Sequence, residues 1–466
     1  MLTLRDRGPR LCDGLTRRDV LQAGGLGALG LSLPQLLARE ALAKTTESAP
    51  RSAKSCIVLF LMGGSPQHST FDPKPEAPPE IRGIFSPIAA AVPGTYYSEL
   101  LPGLAQRADH LAVLRAVSTT DNAHSSSGYY MLTGHPHVPM NAENANPGAP
   151  NDWPFLGTLV QQAAPPRGDL PGCVRLPCHI FNTDNSVWPG QDGGFLGPSA
   201  DPWLFRCRPA DPDFRIPEFS LPVEITSDRL LRRGSLLESV NQRFEQVERA
   251  GLAARYSELS GRAFNLLATQ RSRSAFRLDL ETPQVREQYG MSEFGQSTLL
   301  ARRLIEAGVR LVQVNWYRGP DEPSDAPCWD SHAGEANRLK NVLCPPMDQA
   351  FSALLDDLSQ RGILDETLVV CLTEFGRTPR MNARGGRDHW GSVFSVALAG
   401  GGIRGGVVHG ESDEIGAFPK SGLVRPEDIT ATIFQCLGLP PGTEYHDPFG
   451  RPLPLSRGRV LSEILA

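Results

Sequence analysis

The sequence lacks several features that would identify a function directly. It has nine cysteines but no CxxC segment, which argues against a zinc knuckle, and no CxxCH segment, which argues against haem attachment. Positive charge is not in excess either, because 46 basic side chains stand against 51 acidic ones and the net charge is -5. A nucleic-acid partner is therefore not indicated.

Glycine and proline, by contrast, are abundant. The 46 glycines and 41 prolines predict long, shaped loops rather than tight helical bundles. Apolar residues make up 40% and charged residues 21% of the chain, as in ordinary soluble globular proteins. A chain of 466 residues is long enough for one large α/β domain with insertions or for two smaller domains.

The N-terminal stretch resembles a twin-arginine (Tat) export signal. The segment TRRDVLQ (16–22) is followed by the weakly apolar run AGGLGALGLSLPQLL and by the small-residue site ALA at 41–43. We expect residues 1–43 to be a signal cleaved after Ala43 and residues 44–55 to be a polar linker. An ordinary amphipathic helix and a retained signal anchor are the alternatives, although the apolar run is too short for a permanent span.

Export implies a location and a partner. The mature chain would be periplasmic or extracellular, with the Tat translocon as a partner during export and no stable membrane span after cleavage. Tat substrates fold before export, commonly because a metal or cofactor is loaded in the cytosol. Disulfides are allowed in such a compartment, but the pairing of the loop cysteines cannot be read from the sequence.

Apolar runs that alternate with helical patterns predict the fold class. Strands are predicted at 56–62, 110–117, 309–316, 367–375 and 393–400, and helices at 98–109, 126–134, 293–307, 346–361 and 426–438. Residues 135–225 indicate a loop-rich insertion and residues 228–270 a helical one. The alternation predicts an α/β protein with a mostly parallel sheet covered on both faces.

Four polar clusters lie at the ends of predicted strands. They contain His68 and Asp72; Asp121, His124 and Ser125; Asp330 and His332; and Glu374, Asp388 and His389. Carboxylate and imidazole together suit a divalent metal such as zinc, manganese or iron. Any one cluster alone is more often a set of solvated or hydrogen-bonded side chains. Four clusters at one sheet edge, where such folds bind ligands, favour a metal site.

Two further features have open or ordinary interpretations. The arginines of the loop 373–390 are either solvated charges or an anion site, and Arg377 is favoured because it lies closest to the strand end. The glycine-rich segment 398–410 lacks a P-loop lysine, so a close-packed turn and hairpin is predicted there rather than a nucleotide loop.

Several motifs together resemble a known family. GGSPQHSTFDPKPEAP, CWDSH, DETLVVCLTEFGRTPRMN, GGRDHW and LAGGGIRGG closely resemble the domain-of-unknown-function family 1501 (DUF1501) over about residues 54–465. That family is similar in turn to the alkaline phosphatase and sulfatase superfamily. The resemblance implies a single alkaline-phosphatase-like domain over 56–466, folded as a three-layer α/β/α sandwich with a metal site at the strand ends.

The resemblance also assigns residues to roles. Asp330, His332 and His389 match the ligands of the first metal, and Glu374 stands at a carboxylate position of the second. Phe375 and Met62 stand where two further ligands would be expected, so the resemblance implies one metal site rather than two. His68 and Asp72 belong to the family's own pattern and could replace the missing ligands.

Two functions follow from this pattern. The first is an exported metal-dependent hydrolase of a phosphate or sulfate ester, with a small anionic ester or a polysaccharide-type substrate. His124 or Ser125 would act as nucleophile or general acid, Asp388 would act as base, and Arg377 and Arg387 would bind the anion. The alternative is a non-catalytic binding protein on the same fold, favoured by Met62 and Phe375.

Overall fold

The computed structural model describes residues 52–164, 166–214, 270–316 and 328–466, together with the single positions 229, 232, 233, 235, 236 and 318. The predicted export signal (1–43), most of the predicted linker (44–55) and nearly all of the predicted helical insertion (228–270) lie outside the described residues.

A central sheet of eight strands organises the described chain. The strands are β1 (Ser55–Phe60), β2 (Leu111–Val117), β3 (Cys173–Leu176), β4 (Trp203–Leu204), β5 (Leu311–Asn315), β6 (Thr367–Leu372), β7 (Phe394–Gly400) and β8 (Val407–His409). They lie in the order β8-β2-β7-β6-β1-β5-β3-β4. Every neighbouring pair in this sheet is parallel except the two that involve β7. The prediction of a mostly parallel sheet is confirmed.

Continuous apolar runs explain why these strands lie inside. Every residue of β1 (SCIVLF) and β6 (TLVVCL) is buried, as expected for parallel strands that are covered on both faces. Leu59 in β1 is registered with Val314 in β5 and with Cys371 in β6, so apolar side chains pack across three adjacent strands.

Seven helices longer than five residues lie within the described chain. They are α1 (His124–Thr133), α2 (Leu156–Ala163), α3 (Gln270–Ala275), α4 (Pro283–Tyr289), α5 (Glu293–Glu306), α6 (Cys344–Gln360) and α7 (Pro426–Cys436). Shorter turns of helix span Gln67–Ser69, Pro79–Arg82, Pro102–Ala105, Ala108–His110, Gly194–Leu196, Pro198–Ala200, Leu278–Leu280, Glu335–Arg338, Leu339–Leu343, Leu364–Glu366 and Ser462–Ile464. Among the described residues, no helix has the length and apolar content needed to cross a membrane.

Four two-stranded ribbons surround the main sheet. They pair Pro87–Ala89 with Tyr96–Ser98, Gly376–Arg377 with His389–Trp390, Glu411–Ser412 with Pro419–Ser421, and Glu444–His446 with Pro452–Pro454.

Helices cover both faces of the sheet. Phe60 at the end of β1 contacts Trp188, with ring centroids 6.3 Å apart, and Trp188 lies where a Cβ on Gly128 of α1 would be. Phe60 is registered with the residue before Trp316, so Trp316 points to the opposite face, where it contacts Phe294 of α5 at 4.8 Å. The architecture is therefore the three-layer α/β/α sandwich that the family resemblance implies.

Two segments differ from the sequence prediction. The described part of the predicted loop-rich insertion (135–225) contains α2, β3 and β4, and β3 pairs with β5 inside the main sheet. The glycine-rich segment 398–410 forms no hairpin, because β8 pairs in parallel with β2 instead. Both differences arise from tertiary pairing, which the local pattern of a short run does not contain.

The topology brings the polar clusters to one edge. Strands β1, β2, β5 and β6 run in the same direction, so their carboxyl ends lie together. Strand β7 is antiparallel, so its first residues lie at that edge as well. Each predicted cluster follows one of the parallel strands or precedes β7, which is the expected position of a ligand site in such a sheet.

Gly63 controls how closely the loops at this edge approach each other. It has a φ of +114°, and a Cβ there would lie 2.4 Å from the backbone nitrogen of Asp330. We predict that Gly63→Ala lowers the free energy of unfolding, measured by urea denaturation, by about 2–5 kcal/mol from backbone strain and overpacking.

Gly362 supplies the matched control. Its φ is +68°, but no atom lies within 4 Å of the position of an added Cβ. Gly362→Ala should cost about 1–2 kcal/mol from backbone strain alone. Equal losses for the two variants would contradict the close approach at Gly63.

Candidate metal centre

Four side chains meet at the carboxyl edge of the sheet, and we call them the Asp330 cluster. Asp330 and His332 lie in the loop after β5, His124 is the first residue of α1, and His389 lies in the ribbon before β7. The ribbon registers His389 with Arg377, which folds the loop 373–390 back on itself. Three predicted ligands, Asp330, His332 and His389, are thus brought together with His124.

The three imidazoles converge on one carboxylate. Nε2 of His332 lies 3.0 Å and Nε2 of His389 lies 3.1 Å from Oδ1 of Asp330. Nε2 of His124 lies 3.2 Å from Oδ2 of the same side chain. The Nε2 atoms of His332 and His389 are 2.9 Å apart.

Each imidazole is fixed on its other side by an oxygen acceptor. The Nδ1 contacts are His124 with Glu374 Oε1 at 2.7 Å, His332 with Asp388 Oδ1 at 2.8 Å, and His389 with the Asn122 carbonyl at 2.7 Å. With a proton on Nδ1 for that acceptor, each imidazole would turn its Nε2 lone pair into the cluster whenever a metal takes the place of a proton there. Metal-ligating histidines are characteristically held in this way.

The donor set fits a divalent metal. Tetrahedral zinc with ligands at about 2.0–2.2 Å requires ligand atoms about 3.3–3.6 Å apart, so the cluster needs only a small outward movement. His124, Asp330 and His389 each offer one ligand atom within 4.8 Å of the others. Two Nε2 lone pairs that face each other at 2.9 Å also repel unless a proton or a cation lies between them.

The cluster combines negative charge with burial. Burial disfavours the charged imidazole of His124, but the carboxylates of Asp330 and Glu374 outweigh this effect and raise its pKa to about 10. Burial likewise disfavours ionised Asp330, yet the Arg377 guanidinium and His124 hold the pKa of that carboxyl well below its usual range. The carboxylates of Asp330 and Glu374 therefore favour a positive charge at His124, whether a proton or a bound cation.

The pKa values of His332 and His389 shift in opposite directions. The hydrogen bond to Asp330 raises the pKa of His332, and Asp388 adds to the effect. Desolvation lowers the pKa of His389 to about 4, because Asp330 only partly offsets its burial. Of the two facing Nε2 atoms, that of His389 is therefore the one that more readily stays unprotonated in the absence of any cation.

Glu374 and Asp388 hold imidazoles rather than joining the cluster. Besides His124, the buried Glu374 accepts hydrogen bonds from the Gly63 N–H at 2.8 Å and the Thr373 hydroxyl at 3.1 Å. Asp388 is 56% exposed and contacts His332. The sequence predicts Glu374 as a ligand and Asp388 as a base, because it locates carboxylates near the edge without giving their directions.

Arg377 and Arg387, predicted to bind substrate, are buried and bound to protein oxygens. The Arg377 guanidinium donates to Asp330 Oδ1 at 2.5 Å and to the carbonyls of Gly63, Gly64, Trp329 and Arg387. Arg387 donates to the buried Glu335 carboxylate and to the carbonyls of Thr378, Pro379 and Ile81. Their donors close the loops, and anion recognition by these two residues stays a prediction.

The serines after His124 face away from the cluster. Ser125 Oγ donates to the Ala142 carbonyl at 2.9 Å and accepts from the Ala145 N–H at 2.9 Å. Ser127 Oγ donates to the Glu374 carbonyl at 2.6 Å. Helix α1 points these hydroxyls inward because its side chains rotate about 100° per residue, and the geometry does not place Ser125 as a nucleophile.

His68 and Asp72 lie apart from the cluster as well. Buried His68 contacts the Ile415 carbonyl through Nε2 at 2.8 Å, and desolvation lowers its pKa to about 3. Asp72 accepts from the Ser412 hydroxyl at 2.5 Å and pairs with Lys74 at 3.2 Å. These contacts fasten the segment after β1 to the ribbon at 411–421, and the structure does not bring either side chain into contact with the Asp330 cluster.

A pocket opens beside the cluster, and sequence reasoning missed most of its lining. It is bordered by His124 and Asp330 and by Met62, Glu143, Asn144, Phe181, Asn182, Thr183, Trp188 and Arg318. Several of these residues belong to the segment 135–225, whose composition signals only loops. The contact of the Asn122 carbonyl with His389 could not be predicted from the sequence either, because every residue has a backbone carbonyl and the residue type gives no signal.

The structural role of Arg387 can be tested directly. Removing its guanidinium leaves the Glu335 carboxylate, 3.3 Å away and 3% exposed, without its buried partner. We predict that Arg387→Ala lowers the free energy of unfolding by about 3–5 kcal/mol. Arg380→Ala is the matched control in the same loop, since Arg380 is 76% exposed, and should change stability by less than about 0.5 kcal/mol. Urea denaturation of both variants makes the comparison, and an unchanged midpoint for Arg387→Ala would contradict the assignment.

Solved structures with a similar fold include several hydrolases. They include PsFucS1 sulfatase from Pseudoalteromonas sp. (12% identity, TM-score 0.39, covering 87% of this chain and 71% of that one). Phosphonate monoester hydrolase SpPMH from Silicibacter pomeroyi matches with 12% identity and a TM-score of 0.39, covering 88% and 76%. Alkaline phosphatase from the Antarctic bacterium TAB5 matches with 12% identity and a TM-score of 0.33, covering 83% and 99%.

The family assignment comes from the sequence itself. No curated protein matches this chain significantly. The family model described as "Protein of unknown function (DUF1501)" matches residues 53–465, which is nearly the whole described chain. The chain therefore belongs to the DUF1501 family.

Proposed function

We propose that this protein is a metal-dependent hydrolase of phosphate or sulfate monoesters. One observation carries the proposal. Three imidazoles direct Nε2 at the Asp330 carboxylate while their Nδ1 atoms are fixed by Glu374, Asp388 and the Asn122 carbonyl. This arrangement of inner donors and outer acceptors supports a bound divalent metal, with zinc, manganese and iron as candidates.

Asp330, His332 and His389 would hold the metal in a single site. A bound metal of this kind supplies a Lewis acid and lowers the pKa of a coordinated water. Arg377 keeps Asp330 ionised and fixed at 2.5 Å, and Asp388 orients His332. Phe375 packs against the imidazoles of His124 and His389 at 4.9 and 4.7 Å, which excludes water from the inner side.

His124 lies at the boundary between the cluster and the pocket. Its Nε2 contacts Asp330, and its side chain also lines the pocket. We assign it contact with the reacting group of the substrate, oriented by Glu374. Because the hydroxyls of Ser125 and Ser127 are bound to backbone oxygens, we propose direct attack by water instead of a covalent serine intermediate.

Export is the second part of the proposal. It rests on the twin-arginine segment TRRDVLQ and the ALA site at 41–43. Folding and metal loading before transport would then precede function in the periplasm or outside the cell.

A non-catalytic binding protein is the competing function. By the family resemblance, Met62 and Phe375 occupy positions where the alkaline phosphatase and sulfatase superfamily carries ligands. The hydroxyls of Ser125, Ser126 and Ser127 in α1 are engaged with backbone groups. Such a protein would keep the pocket and lack turnover. Assays of metal and hydrolysis on the same samples separate the two functions.

Metal and activity should be lost together. We predict that the mature protein, loaded with zinc, manganese or iron, holds about one equivalent of metal and hydrolyses 4-nitrophenyl phosphate or 4-nitrophenyl sulfate. The double variant His332→Ala, His389→Ala should lose both, measured by elemental analysis and by release of 4-nitrophenol. Asp388→Asn should weaken metal affinity by about 10–100-fold without unfolding the protein, because it only orients His332.

His446→Ala is the control for loss of an exposed histidine, and its metal content and activity should match the wild type. Bound metal with no hydrolysis of either ester would favour the binding protein. Hydrolysis that persists in the metal-free double variant would contradict the proposal.

A further inference from the structure

Two cysteines differ from the others in their exposure. The structure describes eight cysteines as free thiols, and of these only Cys178 and Cys207 are partly exposed to solvent. The other six are buried: Cys56, Cys173, Cys328, Cys344, Cys371 and Cys436. Because a thiol must be accessible to react, Cys178 and Cys207 are the candidates for modification in the folded protein.

The strand pairing places these two cysteines beside each other. The parallel strands β3 and β4 register Arg175 with Leu204, and the same offset places Cys178 opposite Cys207. The pairing continues beyond the strands, because the Cys207 N–H donates to the carbonyl of Pro177 at 3.2 Å. Neighbouring strands lie about 4.8 Å apart, within the Cα separation of about 4.4–6.8 Å that a disulfide spans.

The two thiols also share their surroundings. Burial raises the pKa of Cys178 to about 11, and the Glu293 carboxylate adds to this shift. Burial also raises the pKa of Cys207, and Glu293 and Cys178 add to that shift, as expected of groups that lie close together. Glu293 Oε1 has no hydrogen-bond partner among the described residues. It repels a thiolate at either cysteine, whereas a disulfide carries no charge.

Cys56 and Cys436 supply a contrast. Burial raises the pKa of the Cys56 thiol, and Cys436 is the next largest cause, so these two thiols are also neighbours. They lie in the core, however, with exposures of 0% and 5%, where an oxidant does not reach them. Exposure therefore separates the pair at 178 and 207 from the pair in the core.

We infer that Cys178 and Cys207 form a disulfide when the folded protein meets an oxidising compartment. The bond does not depend on the proposed hydrolase function, although the compartment rests on the proposed export. The Cys178 thiolate attacks one sulfur of a disulfide oxidant, and the Cys207 thiolate then displaces the remaining half of the oxidant. Two S–H bonds break, both protons go to solvent, and two electrons reduce the oxidant to two thiols.

The disulfide would join the two ends of the segment 179–206. That segment carries Phe181 and Trp188, which line the pocket beside the Asp330 cluster. It also contains β4, which has two residues and lies at the end of the main sheet. A covalent link at this position would hold both the edge strand and the pocket loop against β3.

The thiols can be mapped before and after oxidation of the mature protein. Reduced protein is incubated with oxidised glutathione, alkylated without unfolding, and digested for mass spectrometry. We predict alkylation of Cys178 and Cys207 before oxidation, and a single peptide pair linked through these two residues afterwards. Cys56 and Cys436 should be alkylated only after denaturation. The oxidised protein should unfold at a urea concentration higher by about 0.5–1 M, because the link constrains the unfolded chain.

Single variants test the pairing. Cys178→Ser and Cys207→Ser each leave one accessible thiol, which should be trapped as a mixed disulfide with glutathione, and oxidation should no longer raise the urea midpoint. Alkylation of both residues after oxidation of the wild type, or a disulfide between other cysteines, would overturn the inference. Neither ester hydrolysis nor bound metal enters these measurements, so failure of the hydrolase proposal would leave the disulfide intact and its success would not rescue it.

Discussion

The Asp330 carboxylate is the group around which the site is organised. One of its oxygens accepts from Arg377 at 2.5 Å and lies within 3.1 Å of two imidazoles, and the other faces His124. This partly buried carboxylate is held as an anion by the positive charge and hydrogen-bond donors that surround it. The loops after β1, β2 and β5 and the loop between β6 and β7 therefore meet around a single negative charge.

The remaining loop charges serve that arrangement. Arg377 and Arg387 satisfy carbonyl oxygens that would otherwise be buried without partners, and so they fix the loop 373–390 against the segment after β1. Gly63 permits the same approach because it lacks a Cβ where the backbone of Asp330 passes. Rigid loops of this kind hold ligand side chains in place before any metal arrives, which is what tight and selective metal binding requires.

The apolar runs of the sequence predicted both the sheet and the edge of the sheet at which the polar clusters lie. Long apolar runs such as CIVLF and TLVVC determine which strands are buried, and parallel strands bring the residues after them to one edge. This pattern located Asp330, His332 and His389 at that edge, the family resemblance identified them as metal ligands, and the structure brings them together. The sequence does not give side-chain direction, so it could not show that Ser125, Arg377 and Arg387 make their hydrogen bonds to other groups of the protein. Part of the pocket lining lies in the segment 135–225, whose fold depends on tertiary contacts rather than on local pattern.

X-ray absorption on the metal-loaded mature protein tests the central claim most directly. The account predicts a metal with two imidazole ligands and one carboxylate oxygen at about 2.0–2.2 Å, and loss of the imidazole scattering in the His332→Ala, His389→Ala variant. A metal without imidazole ligands, or the same spectrum in that variant, would show that the Asp330 cluster is not the metal site.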